Sequence, residues 1–373
     1  MSIELIDHSP PVEGRPLGNF EVITLLKKWL ELAERGKLTF AALATLEPPR
    51  CAAIDFAGSI DMMEAIPGIL DTLKGKIEQR LAEQMAPPQD PELDHSYYCY
   101  SVTTQPVGFD FSYPLIAAEM DRRRANAPGP LKIGFWAGAS GRYGVNTTYR
   151  ATMFENVVKP MLDLVGAVQD DAALRGHRGG LRLLDITNAA RAGEEVPRFK
   201  TSLKATMTVA SWFLNDEKPV TITLRETDAY PHRNSNNEAW LRFAKDLEAA
   251  GETVIIVRDT RVAADPLQGY STCPAASNNL QLRHALYEHA KLNWFVSNGC
   301  SACGWFGTAP FIQMINLNDG SSYFPDTRWW WRDVAGIDHG EQMPWFSPQQ
   351  RIVWELDTYD NITKAWEAFR ASV

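Results

Sequence analysis

The second half of the chain alternates regularly between short apolar segments rich in β-branched residues and longer amphipathic segments. The short segments have the length and composition of buried strands, and the longer ones carry apolar residues at helical spacing. The successive segments are KPVTITLR (218–225), NNEAWLRFAKDLEAAG (236–251), ETVIIVRD (252–259), NNLQLRHALYEHAKL (278–292) and NWFVSN (293–298). Buried strands joined by helices form parallel βαβ units, so this alternation predicts a parallel sheet covered by helices.

A similar alternation is present in the first half of the chain, from residue 97 onward. The predicted elements are strands at 97–102, 131–138 and 181–186, and helices at 112–124, 149–166 and 199–215. We expect the last of these helices to join two sheets. The chain is therefore predicted to be an α/β protein with two Rossmann-like βαβ domains, residues 95–198 and 199–373, and a cleft between them.

Residues 1–94 do not share this rhythm. Apolar residues at helical spacing predict two amphipathic helices, one at 20–35 and one over about 61–84. The second helix stops at the proline-rich stretch MAPPQDPELD, which is typical of a linker. We expect a mostly helical N-terminal extension whose sequence indicates no particular function.

The composition is that of a folded protein, with 373 residues of which 45% are hydrophobic and 22% charged. The net charge of −9 argues against nucleic acid or an anionic membrane surface as the main partner. No segment approaches the roughly 18 apolar residues that a membrane span needs, although a peripheral contact is compatible with the sequence.

The start of the chain, MSIELIDHSPPVEG, lacks the basic residues and the apolar core of a signal peptide. Five widely spaced cysteines, an odd number, are not typical of a disulfide framework. These features predict a cytoplasmic protein. Nothing in the sequence indicates an oligomeric state.

Polar residues follow three predicted strands of the second half: Arg225, the pair Arg258–Asp259, and the run Ser297-Asn298-Gly299. Ligands of open parallel sheets bind beyond the carboxyl ends of the strands. Because these ends meet at one edge of a sheet, the three groups are candidates for one binding site.

Arg225 has a planar, permanently charged guanidinium that suits a diphosphate. The residues Asn234, Ser235 and Asn236 precede the next predicted helix, where free backbone N–H groups also favour an anion. Two interpretations stay open. Either this stretch binds an anionic ligand, or Arg225 pairs with a nearby acid (Glu226 or Asp228) and the asparagines form an ordinary helix cap.

No glycine-rich phosphate-binding fingerprint is present in the sequence. The loop GASGRYG (138–144) has three glycines without the spacing that such a fingerprint requires. Its Ser140 and Arg142, together with Asn146, would suit an acceptor or a phosphate. The alternative is an ordinary turn without function.

The motif Cys300-Ser-Ala-Cys303 follows a predicted strand, as a thioredoxin-like redox site would. The rest of that fold is missing, and a zinc site would need two further ligands at suitable spacing. We interpret both cysteines as small residues packed in a tight turn, and we predict no metal site and no cofactor. The triplet Trp329-Trp330-Trp331 is interpreted as part of the core rather than as a surface for stacking a sugar.

Several of these segments together resemble one protein family. TITLRETDAYPHRNSNNEAWLRFAKDL, VIIVRDT, LRHALYEHAKLNWFVSNGCSACGWFGTAPFI and GEQMPWFSPQQRIVWELDTYDNITKAW are similar to bacterial glycosyltransferase-like proteins of the two-domain GT-B type. The resemblance covers about residues 95–370. The second half is also similar, more distantly, to the fucosyltransferase superfamily, which includes protein O-fucosyltransferases and nodulation fucosyltransferases. Thr223 and Glu226 stand where that superfamily often has a histidine and a second basic residue, so the resemblance supports the general fold more than it supports a fucose donor.

The resemblance implies a metal-independent glycosyltransferase that moves a hexosyl or deoxyhexosyl group from a nucleotide sugar, with GDP as the first choice of nucleotide, to a glycan, glycolipid or protein. It implies that Arg225 holds the donor diphosphate. It also implies that a small polar turn lies over the nucleotide. The residues of that turn are Ser297, Asn298, Gly299 and Ser301.

Further candidates follow from their places in such an enzyme. Arg233 or Arg258 would add a second positive group near the diphosphate, beside Asn234. Asp110, in the stretch VGFDFS after the first strand of the first domain, is the candidate base for the acceptor hydroxyl. Glu288 would accept hydrogen bonds from the donor ribose, or alternatively pair with a basic neighbour on the surface.

Two other functions stay open at this stage. A non-catalytic GT-B-like protein would bind a carbohydrate or nucleotide through the same strand-end residues without turnover. A sugar-nucleotide epimerase would convert the donor in the absence of any acceptor.

Overall fold

The computed structural model describes residues 40–47, 51–58, 94–102, 105–136, 147–170, 181–228, 231–317 and 327–372. For the first two ranges only the backbone is described. The chain divides into two compact units, Met1–Pro87 and Pro88–Val373. The predicted boundary between two domains near residue 198 lies inside the second unit and stays a prediction.

The described part of the first unit is a β-hairpin. Strands β1 (Phe40–Glu47) and β2 (Cys51–Gly58) pair antiparallel, with Phe40 opposite Gly58. The sequence predicted no strand in this region. The two helices that it did predict, at 20–35 and 61–84, lie outside the described residues.

The second unit begins with a small parallel sheet of three strands. The strands are β3 (Tyr97–Ser101), β4 (Lys132–Trp136) and β5 (Val168–Gln169), in the order β3-β4-β5. Its helices are α1 (Ser112–Arg124), α2 (Thr147–Met153) and α3 (Lys159–Val165), the last two joined by a π-helical turn at Phe154–Val158. The strands predicted at 97–102 and 131–138 and the helix predicted at 112–124 are confirmed.

The strand predicted at 181–186 is wrong, because this stretch begins helix α4 (Leu183–Arg191). The carboxylate of Asp185 accepts a hydrogen bond from the backbone N–H of Arg182 at 2.8 Å, which caps the first turn. Leu183 and Ile186 are buried three residues apart on one helix face. A stretch of six residues is too short to distinguish the helical spacing of apolar residues from the alternation of a strand. The helix predicted at 199–215 is likewise shorter, since α5 covers Leu203–Ala210.

A larger sheet of five parallel strands follows, as the alternation in the second half predicted. Its strands are β6 (Val220–Thr223), β7 (Val254–Val257), β8 (Leu292–Phe295), β9 (Phe311–Met314) and β10 (Gln350–Val353), in the order β10-β9-β8-β6-β7. Its helices are α6 (Asn237–Ala249), α7 (Pro274–Asn278), α8 (Leu280–His289), α9 (Ala302–Trp305), α10 (Arg328–Trp330) and α11 (Tyr359–Arg370).

Both faces of this sheet are covered, so neighbouring residues of one strand enter different hydrophobic clusters. Trp294 packs against Trp240 of α6, with ring centroids 5.4 Å apart. The next residue, Phe295, packs against Tyr287 of α8 on the opposite face, at 5.1 Å. Burial on both faces explains why the strands are almost continuously apolar rather than alternating.

The cluster on the α8 face continues into the first sheet and joins the two sheets within one unit. Tyr113 of α1 stacks on Trp305 of α9 at 6.1 Å. Trp331 is buried in the same cluster, as the interpretation of the tryptophan triplet expected, whereas Trp329 is 48% exposed.

Candidate functional site

The topology of the larger sheet places a crevice beside β6. Strand β6 lies between β7 and β8. The connection that leaves β6 leads to β7 on one side, and the connection that leaves β8 leads to β9 on the other, so the two diverge at the carboxyl end of β6. Such a switch point is where ligands of open parallel sheets bind. Arg225 follows β6 and Ser297 follows β8, and Arg233 spans the gap by donating to the Ser297 carbonyl oxygen at 3.0 Å. The structure therefore brings Arg225, Arg233 and Ser297 together at one edge.

Arg225 is held in place by the side chain of Asn234. Its Nη1 donates to Asn234 Oδ1 at 2.7 Å, and that oxygen also accepts from the Thr227 backbone N–H at 3.1 Å. Asn234 Nδ2 donates to the Thr227 carbonyl at 2.9 Å, and the Arg225 N–H donates to Ser235 Oγ at 2.8 Å. Arg225 is only 8% exposed, and Asn234, a neutral partner, helps to fix the orientation of its guanidinium.

Glu226, the acidic neighbour of Arg225, is paired with Arg258. The guanidinium of Arg258 donates to both carboxylate oxygens of Glu226, at 2.7 and 2.9 Å. These side chains are 11% and 12% exposed, which makes this a largely buried, bidentate ion pair. Glu226 therefore does not need Arg225 as its partner. Arg258, predicted as a second donor-binding cation, is engaged with Glu226.

A pocket of about 70 Å³ opens at this edge. The last residue of β9 and residues from the connections after β6, β8, β9 and β10 line it: His232, Arg233, Asn234, Val296, Ser297, Met314, Asn316 and Asp357. Its volume is several times the roughly 10–15 Å³ that one water needs, but well below the roughly 300 Å³ of pockets that bury a drug-sized ligand. The pocket has room for a phosphate or one edge of a sugar ring.

Asp357 is a member of this pocket that sequence reasoning missed. It lies in the connection after β10, and its Oδ2 accepts from the Asn236 backbone N–H and from Trp240 Nε1, both at 2.8 Å. The start of α6 is therefore already capped by a carboxylate of the protein, and Asn236 also caps it through Oδ1. For Asn236 the interpretation as an ordinary helix cap is confirmed, while Asn234 supports Arg225.

Asp110 reaches this edge from the first sheet. It lies in a single 3₁₀ turn (Phe109–Phe111) after β3, close enough to Arg233 for the two charges to interact. The side chain has access to solvent, yet the protein around it excludes enough water that desolvation raises the pKa of Asp110, and the charge of Arg233 lowers it in part. Asp110 of the first sheet and Arg233 of the larger sheet therefore lie near each other.

Phe109, after the first sheet, and Gly299, after β8, approach each other closely. A Cβ atom on Gly299 would lie 3.0 Å from the Cβ of Phe109, so a larger residue at position 299 would crowd this contact. On its other side Phe109 faces the guanidinium of Arg283, 6.0 Å from the ring centroid. Arg283 is 5% exposed and donates to the backbone carbonyls of Ala276 and Ser277.

The remaining residues of the small polar turn mainly stabilise the turn itself. Asn298 Oδ1 accepts from the Ser301 N–H at 3.1 Å, and Ser301 Oγ donates to the Asn298 carbonyl at 2.7 Å. Ser301 is buried and also accepts from Gln313 Nε2. Of the four predicted residues of this turn, Ser297 is the one that lines the pocket.

Glu288 lies at the opposite edge of the sheet. Helix α8 runs antiparallel to the strands, so its last turn reaches the amino ends of β8 and β9. The Glu288 carboxylate there accepts from the N–H groups of Thr308 and Ala309, at 2.7 and 3.3 Å. The structure therefore does not bring Glu288 to the pocket.

The predicted acceptor residues Ser140, Arg142 and Asn146 lie outside the described residues. Cys300 and Cys303 are buried, and burial raises the pKa of both thiols, which disfavours the reactive thiolate. Within the described ranges no group of three or more His, Cys, Asp or Glu side chains is arranged to hold a metal ion. In the same part of the chain, no helix is both long and apolar enough to cross a bilayer.

No family model matches the chain, and no curated protein matches it. Among solved structures, it is similar to a glycosyl transferase of family 9 from Veillonella parvula DSM 2008. The two share 9% identity and a TM-score of 0.41, over 72% of this chain and 88% of that one.

It is also similar to the dodecameric iron-containing heptosyltransferase TibC of enterotoxigenic Escherichia coli in complex with ADP-D-beta-D-heptose (14% identity, TM-score 0.42, covering 76% and 78% of the two chains). A third similar structure is the E. coli heptosyltransferase WaaC with ADP-2-deoxy-2-fluoro heptose (11% identity, TM-score 0.39, covering 72% and 99%). All three TM-scores lie below 0.5. The resemblance to fucosyltransferases stays a prediction.

Proposed function

We propose that this protein is a glycosyltransferase, which moves a sugar from a nucleotide-sugar donor to a hydroxyl group of an acceptor. The observation that supports this most strongly is that the turn holding Asp110 packs against Gly299, near Arg233 and Ser297, at the carboxyl edges of two parallel sheets. Sugar transfer needs a base for the acceptor hydroxyl and positive charge for the leaving diphosphate. A carboxylate and a guanidinium that lie near each other at the same edge can supply both.

The donor diphosphate is proposed to lie beside Arg233 and Ser297, within the field of Arg225. Two preorganised guanidinium groups would offset the charge that develops on the leaving group, so we propose that transfer is metal-independent. One preorganised donor of this kind contributes on the order of 3 kcal/mol to the transition state. Because the pocket measures only about 70 Å³, we expect the rest of the donor to extend along the crevice. GDP-sugars are the first donors to test, and a glycan, glycolipid or protein is the proposed acceptor.

Asp110 is the proposed base. The acceptor oxygen forms a bond to the anomeric carbon, the bond from that carbon to the diphosphate breaks, and the acceptor proton passes to the Asp110 carboxylate. Desolvation raises the pKa of Asp110 above that of an ordinary aspartate, which makes it a better proton acceptor near neutral pH.

The test compares donor binding and sugar transfer in the wild type, Asp110→Asn and Arg225→Ala. We expect Asp110→Asn to bind the donor within about threefold of the wild type and to lose roughly 100-fold or more in turnover. Arg225→Ala should weaken donor binding itself. Asp163→Asn, which removes an exposed carboxylate of helix α3, is the matched control and should change neither quantity.

The other outcomes point to the alternative functions. Full turnover in Asp110→Asn contradicts the assignment of the base. Binding of a nucleotide sugar without transfer to any acceptor favours a non-catalytic binding protein, and conversion of the donor with no acceptor present favours an epimerase.

A further inference from the structure

We propose that Asp357 binds a hydroxyl group of the ligand, so that the pocket selects a hydroxylated ring, either the transferred sugar or the donor ribose. This inference rests on the proposed function and deepens it by assigning a residue that recognises the neutral part of the donor. It follows from the hydrogen bonds of Asp357, from its place in the pocket and from the charges around it.

The two oxygens of the Asp357 carboxylate are used unequally. Oδ2 accepts both hydrogen bonds, from the Asn236 N–H and from Trp240 Nε1, each at 2.8 Å. Oδ1 accepts no hydrogen bond from any side chain or backbone group in the described ranges. A carboxylate has about four acceptor positions, so about half of the capacity of Asp357, a residue that lines the pocket, is available to a ligand.

The orientation of this carboxylate is fixed before any ligand binds. Trp240 is 1% exposed and packs in the core of the larger sheet, and Asn236 is the N-cap of α6. Two donors on rigid elements therefore set the direction of Oδ1. A preorganised acceptor binds with little loss of side-chain entropy, which is typical of a recognition site.

The surroundings favour a hydroxyl over a phosphate at this position. A phosphate at Oδ1 would be repelled by the carboxylate, whereas Arg233 and Ser297 offer donors to a phosphate elsewhere in the pocket. Asn316 also lines the pocket, and its amide makes no hydrogen bond with the residues that the structure describes. Its amide can donate to one hydroxyl oxygen while Asp357 accepts from the next, which suits two neighbouring hydroxyls on one ring.

The substitution Asp357→Asn separates recognition from capping. The amide oxygen of asparagine can take the place of Oδ2 and accept from Asn236 and Trp240, while its NH₂ group faces the pocket as a donor instead of an acceptor. We expect the melting temperature to change little and the Kd for the nucleotide sugar to rise roughly 10- to 100-fold, as for loss of a hydrogen bond to a charged group. Asp360→Asn removes an exposed carboxylate three residues away and is the matched control.

The source of the hydroxyl is decided by repeating the titration with the nucleoside diphosphate alone. A loss of affinity for both ligands in Asp357→Asn identifies the ribose, and a loss only for the nucleotide sugar identifies the transferred sugar.

Two results would overturn the inference, and they differ in their meaning. If the wild type binds a nucleotide sugar and Asp357→Asn binds it equally well, Asp357 is a helix cap only and the proposed function is untouched. If the wild type binds no nucleotide sugar at all, the proposed function fails, and this assignment fails with it.

Discussion

The ion pair between Arg258 and Glu226 leads to a prediction about both stability and ligand binding. Substituting Arg258→Met leaves the Glu226 carboxylate without its bidentate partner in a site where the side chain is only 12% exposed. In the described structure Glu226 then keeps one hydrogen bond, from Asn237 Nδ2 at 3.2 Å. A second variant, Glu226→Gln combined with Arg258→Met, removes both charges and preserves most of the volume.

The expected magnitudes follow from the burial of this pair. Removing one partner of a buried ion pair costs roughly 3–5 kcal/mol, whereas replacing both partners by neutral groups is often close to neutral. We therefore expect Arg258→Met to lose about 3 kcal/mol of unfolding free energy and the double variant to stay within about 1 kcal/mol of the wild type. Urea unfolding measured by tryptophan fluorescence gives both values.

The same variants show how Arg258 affects the ligand. An unpaired Glu226 carboxylate at this edge of the sheet would repel an anionic diphosphate, so Arg258→Met should also weaken donor binding. If Arg258 acts by neutralising Glu226, the double variant recovers donor affinity. If Arg258 contacts the donor, as its position in the sequence suggested, both variants bind equally weakly.

Either of two results would contradict a loss of stability caused by the unpaired Glu226 charge. One is an Arg258→Met variant whose unfolding free energy lies within 1 kcal/mol of the wild type. The other is a double variant as unstable as the single one, because the cost would then not come from the unpaired charge.

Three further predictions concern stability. Gly299→Ala should lower the free energy of unfolding in urea by about 1–3 kcal/mol, because its Cβ would lie 3.0 Å from the Cβ of Phe109. Combining it with Phe109→Ala should remove most of that extra loss, and an unchanged unfolding midpoint in Gly299→Ala would contradict the contact. His284 is fully buried, and desolvation lowers its pKa below the ordinary 6.5. As the pH falls below about 6.5 the unfolded chain binds the proton first, so the free energy of unfolding should fall with pH. Urea unfolding between pH 8 and 5 should show this slope in the wild type and a weaker slope in His284→Leu. Trp331→Ala should lower the free energy of unfolding by roughly 3–5 kcal/mol, whereas Trp329→Ala, at an exposed position, should lower it by under about 0.5 kcal/mol. Equal losses of the two variants in thermal unfolding would contradict the placement of these residues.

The larger sheet was predictable from sequence because its strands are buried on both faces and its helices carry clear apolar stripes. Trp294 and Phe295 are consecutive apolar residues that enter opposite clusters, and such runs are the signature of a covered parallel strand. Residues 181–186 were wrongly predicted as a strand, because a helical period of 3.6 cannot be recognised over six residues when the leucines are adjacent.

The candidate site was predictable as far as the edge of the sheet, because the strands of a parallel sheet share one carboxyl edge whatever their order. Hydrogen bonds between residues that are distant in sequence were not predictable. Asp357 and Trp240 are 117 positions apart, and no local sequence pattern indicates their contact. Glu288 could have been placed correctly, because a residue late in a helix that returns antiparallel to the strands must lie at their amino ends.

The most direct test of the central proposal is a thermal-shift titration of the wild type and Arg225→Ala with GDP, UDP and dTDP sugars, a CMP sugar and the free nucleotides, in the presence of EDTA. We predict that at least one nucleotide sugar raises the melting temperature of the wild type by several degrees as its concentration passes about 100 times Kd, which corresponds to about 2.7 kcal/mol of linked stability. The shift should be much smaller for Arg225→Ala. If none of these compounds shifts the wild type, a nucleotide-sugar site at this edge is contradicted.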